Sequence, residues 1–126
     1  MDLEPKRILM LEDDKDLAPM LECFLETNSF QVTTVSNGVQ GLRKIMESDF
    51  DVILCDMVMP NLPGDMFYLA VERTKPGLCK RFLFMTGHAA DPKWDSFIRK
   101  VNGVILWKPF ELHELMERIA LVLNKA

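Results

Sequence analysis

The chain alternates short apolar runs with longer segments of helical periodicity, and this alternation repeats five times along its length. A repeated strand-then-helix pattern is typical of a parallel sheet whose strands are joined by helices. The middle and later runs are almost uniformly apolar, as expected where helices cover both faces of the sheet. The predicted strands lie near residues 6–11, 31–35, 52–55, 82–85 and 104–107.

The segments between these runs carry apolar stripes at the spacing of one helix face, as in Leu17, Leu21 and Leu25. Turn residues such as Pro63-Gly64 and Asn102-Gly103 separate the elements. With 126 residues, 48% of them hydrophobic, the chain is long enough to bury one core. No linker, repeat or low-complexity tract divides it, so the sequence predicts one α/β domain over residues 1–126.

The charge pattern and the apolar runs argue against several classes of partner. The formal net charge is -4 and no basic stripe is present, which disfavours direct binding to nucleic acid. No apolar run approaches a membrane span and the first residues lack a signal-peptide core, so we expect a cytoplasmic protein without membrane contact. Cys23, Cys55 and Cys79 are far apart without metal-binding spacing, which favours reduced thiols.

Ionisable residues stand where three of the predicted strands end. Glu12 and Asp13 follow the first run, Asp56 follows the third, and Lys108 follows the fifth. The carboxyl ends of parallel strands form one edge of a sheet, where ligands of open α/β sheets bind. Clustered carboxylates repel one another unless a cation joins them, and a divalent metal suits oxygen ligands. The lysine suggests a second, anionic ligand, most plausibly phosphate.

Four motifs in this order give the chain a family resemblance. They are Glu12-Asp13, the segment DMVMPNLPG from Asp56 to Gly64, Met85-Thr86-Gly87 and Lys108-Pro109-Phe110. With these motifs the chain resembles the receiver domains of two-component response regulators over essentially its whole length. The resemblance implies a flavodoxin-like, doubly wound α/β domain, a single (βα)5 unit with strand order 2-1-3-4-5 and helices on both faces of the sheet.

The resemblance also implies an acceptor and a metal site. Asp56 corresponds to the carboxylate that takes a phosphoryl group from a phosphohistidine. Glu12 and Asp13 match the acidic pair that holds Mg²⁺ together with Asp56 and the main-chain carbonyl of Val58, and Mn²⁺ is expected to substitute. Asp14 is expected to lie outside this set, as a cap for a helix that begins near Lys15.

The phosphate-binding and switch residues implied by the resemblance are Thr86, Gly87 and Lys108. Thr86 is expected to donate its hydroxyl to a phosphoryl oxygen, Gly87 to leave room for the incoming group, and Lys108 to pair with it. Pro109 fits the cis Lys-Pro bond frequent in such domains.

Four further positions are expected to modulate the site. Ile105 stands where many receivers carry a tyrosine or phenylalanine that swings inward, and a β-branched side chain does not swing as a ring does. Trp107 is the nearest aromatic residue to it. Val58 and His88 occupy positions that influence, in the family, how water reaches the aspartyl phosphate.

The predicted function is therefore a signalling switch without separate substrate turnover. Its donor is expected to be a histidine kinase or a histidine phosphotransfer protein; the sequence leaves the output partner and a homodimer open. An alternative is a phosphohydrolase of the haloacid-dehalogenase type, which normally places a second aspartate where this chain has Val58. A receiver-like scaffold that no longer takes phosphate is disfavoured because every motif residue is present.

Overall fold

The sheet is parallel and five-stranded, in a computed structural model that describes residues 4–87 and 91–125. Its strand order, β2-β1-β3-β4-β5, confirms the order and the fold class expected from the sequence. The strands are β1 (Arg7–Leu11), β2 (Gln31–Val35), β3 (Val52–Asp56), β4 (Phe82–Gly87) and β5 (Val104–Lys108).

A helix follows each strand, and a short 3-10 helix precedes the fourth strand. None of the helices within the described residues is long and apolar enough to cross a membrane. The helices are α1 (Leu17–Thr27), α2 (Gly38–Glu47), α3 (Gly64–Thr74), the 3-10 helix (Pro76–Arg81), α4 (Pro92–Lys100) and α5 (Leu112–Lys125).

Three strands extend further toward their carboxyl ends than the apolar runs indicated. Asp56 and Lys108 are the last residues of β3 and β5, and β4 continues through Thr86 to Gly87. The ladder explains the extension, since Asp56 is in register with Met85 and Lys108 with Gly87. The apolar run of each strand stops at its first polar residue, but pairing with the neighbouring strand continues beyond it. Main-chain hydrogen bonds of the sheet therefore hold these polar residues in place.

The core consists of two layers, one on each face of the sheet. Alternate strand residues point to opposite faces, so Leu9 and Phe84 pack toward α2, α3 and α4, while Met10 and Met85 pack toward α1 and α5. Both faces are covered by apolar helix stripes, which is why the central strands contain almost no polar side chains. This arrangement leaves the carboxyl edge as the place where polar side chains gather.

Strand β5 lies at one edge of the sheet, because it pairs only with β4. Arg118 on α5 reaches back to this strand, and its Nε donates a hydrogen bond of 3.2 Å to the carbonyl of Ile105. A main-chain acceptor at the edge is thereby occupied by a side chain of the same domain.

An aromatic cluster fills the core beneath α3 and α4. Phe84 stacks on Phe82 with ring centroids 5.3 Å apart, and the rings of Tyr68 and Phe97 meet it at steeper angles. Gly103, just before β5, lies directly against this cluster: a Cβ added there would stand 2.5 Å from Phe84 Cε2. Interiors are close-packed, so the ring has little room to retreat.

Gly103→Ala is therefore expected to lower the free energy of unfolding by about 1–3 kcal/mol, the usual cost of overpacking a filled core. Gly77→Ala is the matched control, because a Cβ at Gly77 meets nothing within 4 Å. That change is expected to be neutral or to stabilise by less than about 1 kcal/mol. Urea denaturation compares the two; equal stabilities would show that the Phe84 ring moves freely.

Candidate functional site

Lys108 joins two carboxylates at the carboxyl edge of the sheet. Its Nζ donates a hydrogen bond of 2.7 Å to Glu12 Oε1 and one of 2.8 Å to Asp56 Oδ2. Glu12 directly follows β1, while Asp56 and Lys108 end β3 and β5, so the contact connects three strands of the sheet. The geometry brings these three side chains together, as the sequence analysis expected; their roles stay predictions.

Burial makes these charges interdependent. Glu12 and Asp56 are buried, and the side chain of Lys108 is only 25% exposed. Burial raises the pKa of Glu12, the negative charge of Asp56 raises it further, and the hydrogen bond from Lys108 opposes both. Burial alone would lower the pKa of Lys108, but its hydrogen bonds to Asp56 and Glu12, together with the attraction of their negative charges, outweigh burial and raise it. The ammonium group is thus held in its charged form.

The loop after β3 is held close to the Asp56 carboxylate. The main-chain N–H of Val58 donates a hydrogen bond of 3.0 Å to Asp56 Oδ1, and Gly64 N–H donates one of 3.0 Å to the Met57 carbonyl. A Cβ at Gly64 would lie 2.8 Å from Met57 Cα, so this approach requires glycine. Val58 itself is 58% exposed.

Three carboxylates converge at the same place. One oxygen each of Glu12, Asp13 and Asp56 lies within 4.8 Å of the others, as the sequence analysis expected of this set. Asp13 is exposed whereas the other two are buried, so the cluster opens to solvent on the Asp13 side. An all-oxygen donor set with an open side fits a hard divalent cation that keeps part of its water shell.

Thr86 contributes a buried polar group with no hydrogen bond inside the described part of the protein. The residue is 2% exposed, and its hydroxyl has no partner there. A buried hydroxyl normally has a partner, so Thr86 is an exception within the described residues. Gly87 follows it, and a Cβ added at Gly87 would meet nothing within 4 Å.

The remaining predicted modulators are distributed around this centre. Ile105 is in register with Phe84 and Trp107 with Thr86, so the tryptophan, rather than the isoleucine, is the direct cross-strand neighbour of the threonine. Both belong to one face of β5 because they are two residues apart. The Lys108–Pro109 bond is cis, as predicted. His88 lies outside the described residues.

A model of the response regulator receiver domain family matches residues 8–120. The chain belongs to this family. Its members are signalling switches of two-component systems rather than enzymes with a separate substrate; they work with histidine kinases and bind Mg²⁺ through an acidic pocket. The recognition made from four short motifs is thereby confirmed.

Individual relatives agree with the family match. The response regulator receiver protein CpdR of Brucella abortus is 33% identical over 96% of this chain and 99% of its own length. The transcriptional regulatory protein GlrR of Escherichia coli is 26% identical over 94% of this chain, which spans only 26% of that relative's length. Receiver domains similar to this chain therefore occur both as whole proteins and as parts of longer ones.

Solved structures show the same fold. A putative response regulator from Chloroflexus aurantiacus superposes with a TM-score of 0.84 at 26% identity, over 95% of this chain and 98% of the other. The chemotaxis response regulator CheY4 of Vibrio cholerae superposes with a TM-score of 0.83 at 25% identity, over 94% and 98%.

Sequence reasoning missed one contact within the site. The main-chain N–H of Asp14 donates a hydrogen bond of 3.2 Å to Glu12 Oε2, on the side of the carboxylate that Lys108 does not hold. A main-chain donor has no signature in residue type, so only the local turn could have indicated it. Asp14 makes the capping contact expected of it, since its Oδ1 accepts a hydrogen bond from Leu17 N–H, and the assigned bounds of α1 begin at Leu17, two residues after Lys15.

Lys108→Met is expected to destabilise the protein by about 3 kcal/mol or more at neutral pH, because two buried carboxylates lose their cation. The pKa of Glu12 then rises further, so the folded state binds a proton more tightly than the unfolded one. The deficit is therefore largest above that raised pKa and shrinks as the pH falls toward 4.5, the ordinary value for glutamate.

Denaturant unfolding between pH 4.5 and pH 8 in metal-free buffer measures this effect. Lys44→Met is the control, since Lys44 forms an exposed pair with Glu47 at 3.7 Å and should cost less than about 1 kcal/mol. Equal losses for the two variants, or a Lys108→Met deficit that does not depend on pH, would contradict the account.

Proposed function

We propose that Asp56 accepts a phosphoryl group from a phosphohistidine of a histidine kinase or a histidine phosphotransfer protein. The observation that carries the proposal is the position of Asp56: a buried carboxylate held by Lys108, next to the strand on which Thr86 carries a hydroxyl that has no partner among residues 4–87 and 91–125. A nucleophile and a cation thus meet at the carboxyl edge of the sheet, one strand away from a donor that has no hydrogen-bond partner within the described residues.

The transfer needs only an in-line displacement. A carboxylate oxygen of Asp56 forms a bond to phosphorus while the bond from phosphorus to the donor imidazole breaks, and the imidazole nitrogen keeps the electron pair. The product is an acyl phosphate, which suits a signal that has to decay. In phosphoryl transfer most catalysis comes from positioning and charge stabilisation. The hydrogen bonds from Val58 N–H and Lys108 supply the positioning by fixing the carboxylate.

Mg²⁺, or Mn²⁺ as a substitute, would be held by Glu12, Asp13, Asp56 and the main-chain carbonyl of Val58. The proximity of the three carboxylates supports this part of the proposal. The metal would supply neutralisation of the charge on the phosphoryl oxygens. The Val58 N–H bond to Asp56 Oδ1 keeps that main-chain segment beside the carboxylate. Asp13, exposed, provides the carboxylate nearest to solvent.

Lys108 and Thr86 are assigned to the phosphoryl group after transfer. Phosphorylation turns Asp56 into a group with additional anionic oxygens, which compete with Glu12 for the Lys108 ammonium. Thr86 gains an acceptor for its buried hydroxyl. Both changes favour an active conformation at the end of β4, so phosphorylation shifts a conformational equilibrium toward a partner-binding state. Ile105 and Trp107 modulate this shift from the neighbouring strand.

The surroundings of the site support a protein as donor. A cavity of about 440 Å³ opens beside Lys108 and is lined mainly by apolar side chains, among them Leu17, Met20 and Phe110. Together with the exposed Val58, it offers apolar surface next to the reacting groups. The proposal includes a cytoplasmic location, consistent with the free thiols of Cys23, Cys55 and Cys79.

Asp56→Asn is expected to abolish labelling by a small phosphodonor with Mg²⁺, because an amide is not a workable nucleophile toward phosphorus. Intact mass should show one added phosphoryl group on the wild type and none on the variant. Asp49→Asn, at a side chain that is 93% exposed, should label like the wild type. Removing the metal with a chelator should slow labelling strongly.

Labelling of the Asp56→Asn variant at the wild-type level would refute the acceptor assignment, and no labelling of the wild type would favour a scaffold without phosphate. Rapid turnover of a phosphomonoester substrate by the wild type would instead favour the phosphohydrolase alternative. The absence of a second carboxylate at Val58 disfavours that alternative.

Val58→Asn is expected to shorten the lifetime of the aspartyl phosphate. Valine offers no hydrogen bond to an attacking water, whereas an asparagine at this exposed position can orient one, an effect of about tenfold or more for a well-placed group. Loss of the phosphoryl mass over time, after removal of the donor, gives the rate. Met20→Asn, at an exposed position that lines the cavity beside Lys108, serves as control. Equal decay of all three proteins would show that water access is governed elsewhere, with His88 the next residue to test.

A further inference from the structure

Asp14 is attached to the site through its main chain and to helix α1 through its side chain. Its N–H donates to Glu12 Oε2 at 3.2 Å, while its own Oδ1 accepts hydrogen bonds from the N–H groups of Asp16 and Leu17 at 2.9 and 3.0 Å. The Asp14 carbonyl accepts the first helical bond, from Ala18 N–H at 2.9 Å. These are the two properties of a helix N-cap.

Asp16 immediately precedes the helix but does not perform this function. Its backbone is already helical, with φ -94° and ψ -42°, and its side chain makes no capping hydrogen bond. Asp14 therefore determines where the chain turns from the end of β1 into α1. The conformation of this turn determines where the N–H of Asp14 points. That N–H is one of the two donors that hold the Glu12 carboxylate.

We propose that Asp14 is a positioning residue for the metal site: by capping α1 it orients the main-chain donor that fixes Glu12. This inference rests on the proposed function. Glu12 is buried with one carboxylate oxygen held by Lys108 and the other by Asp14 N–H, so its carboxylate stays oriented even while Lys108 turns to another anion. Groups that orient metal ligands in this way commonly affect metal affinity strongly although they never touch the ion.

Mg²⁺ titration of the full chain, followed by the amide resonances of Asp56 and Val58, tests this role. Asp14→Ala is expected to raise the dissociation constant for Mg²⁺ about tenfold. Asp14→Asn removes the same charge but keeps an acceptor oxygen that caps as well as aspartate, and should stay within about threefold of the wild type. Asp16→Ala, which removes a nearby charge without removing a cap, should also stay within about threefold.

A second measurement separates positioning from general stability. Amide exchange without metal should show faster exchange at Asp16 and Leu17 in Asp14→Ala and wild-type rates in Asp14→Asn. Equal Mg²⁺ affinities of Asp14→Ala and Asp16→Ala would overturn the inference. So would an Asp14→Asn variant as weak as Asp14→Ala, since charge alone would then explain the loss. If the wild type does not respond to Mg²⁺, the proposed metal site itself fails, which the wild-type titration reveals before any variant is compared.

Discussion

The contact of one ammonium group with two buried carboxylates determines the arrangement of this domain's functional edge. Lys108 ends β5, and Asp56 ends β3, two strands away, so the lysine has to cross the end of β4. Neighbouring strands are about 4.8 Å apart, so the two spacings from β5 to β3 make about 10 Å, which the long side chains of Lys108 and Asp56 span together only if nothing stands between them. Gly87 is in register with Lys108 and ends β4 without a side chain. Strand order, strand length and a glycine thus act together to bring three charges into contact.

The fold was predictable because its signals are redundant. Five apolar runs, helical stripes between them and turn residues at the boundaries all indicate the same parallel sheet, and the strand order followed from the family resemblance. The strand ends were less accurate, because Asp56 and Lys108 are polar residues inside a ladder that the apolar pattern no longer marks. An apolar run shows which side chains are buried, whereas strand bounds depend on main-chain pairing. At the carboxyl edge the paired segment is longer than the apolar run.

The site was predictable in its residues but not in its connections. Glu12, Asp13, Asp56 and Lys108 could be placed together because parallel strands end at one edge. It was not possible to predict that the two oxygens of Glu12 are held by different donors, Lys108 and the N–H of Asp14. The second contact depends on a turn that is set by the capping residue, two positions after Glu12. The register that places Trp107 beside Thr86 was likewise not predictable, because the sequence of one strand does not show which residue of the next strand lies opposite.

The bond from Arg118 to the carbonyl of Ile105 has a consequence for assembly. An unpaired edge strand invites another chain to add a strand by main-chain hydrogen bonding, which leads to aggregation or to peptide capture. Here the guanidinium occupies an acceptor that such an added strand would need. A partner that approaches β5 at Ile105 cannot use this carbonyl unless Arg118 moves away, so it meets a side chain there before it meets the main chain.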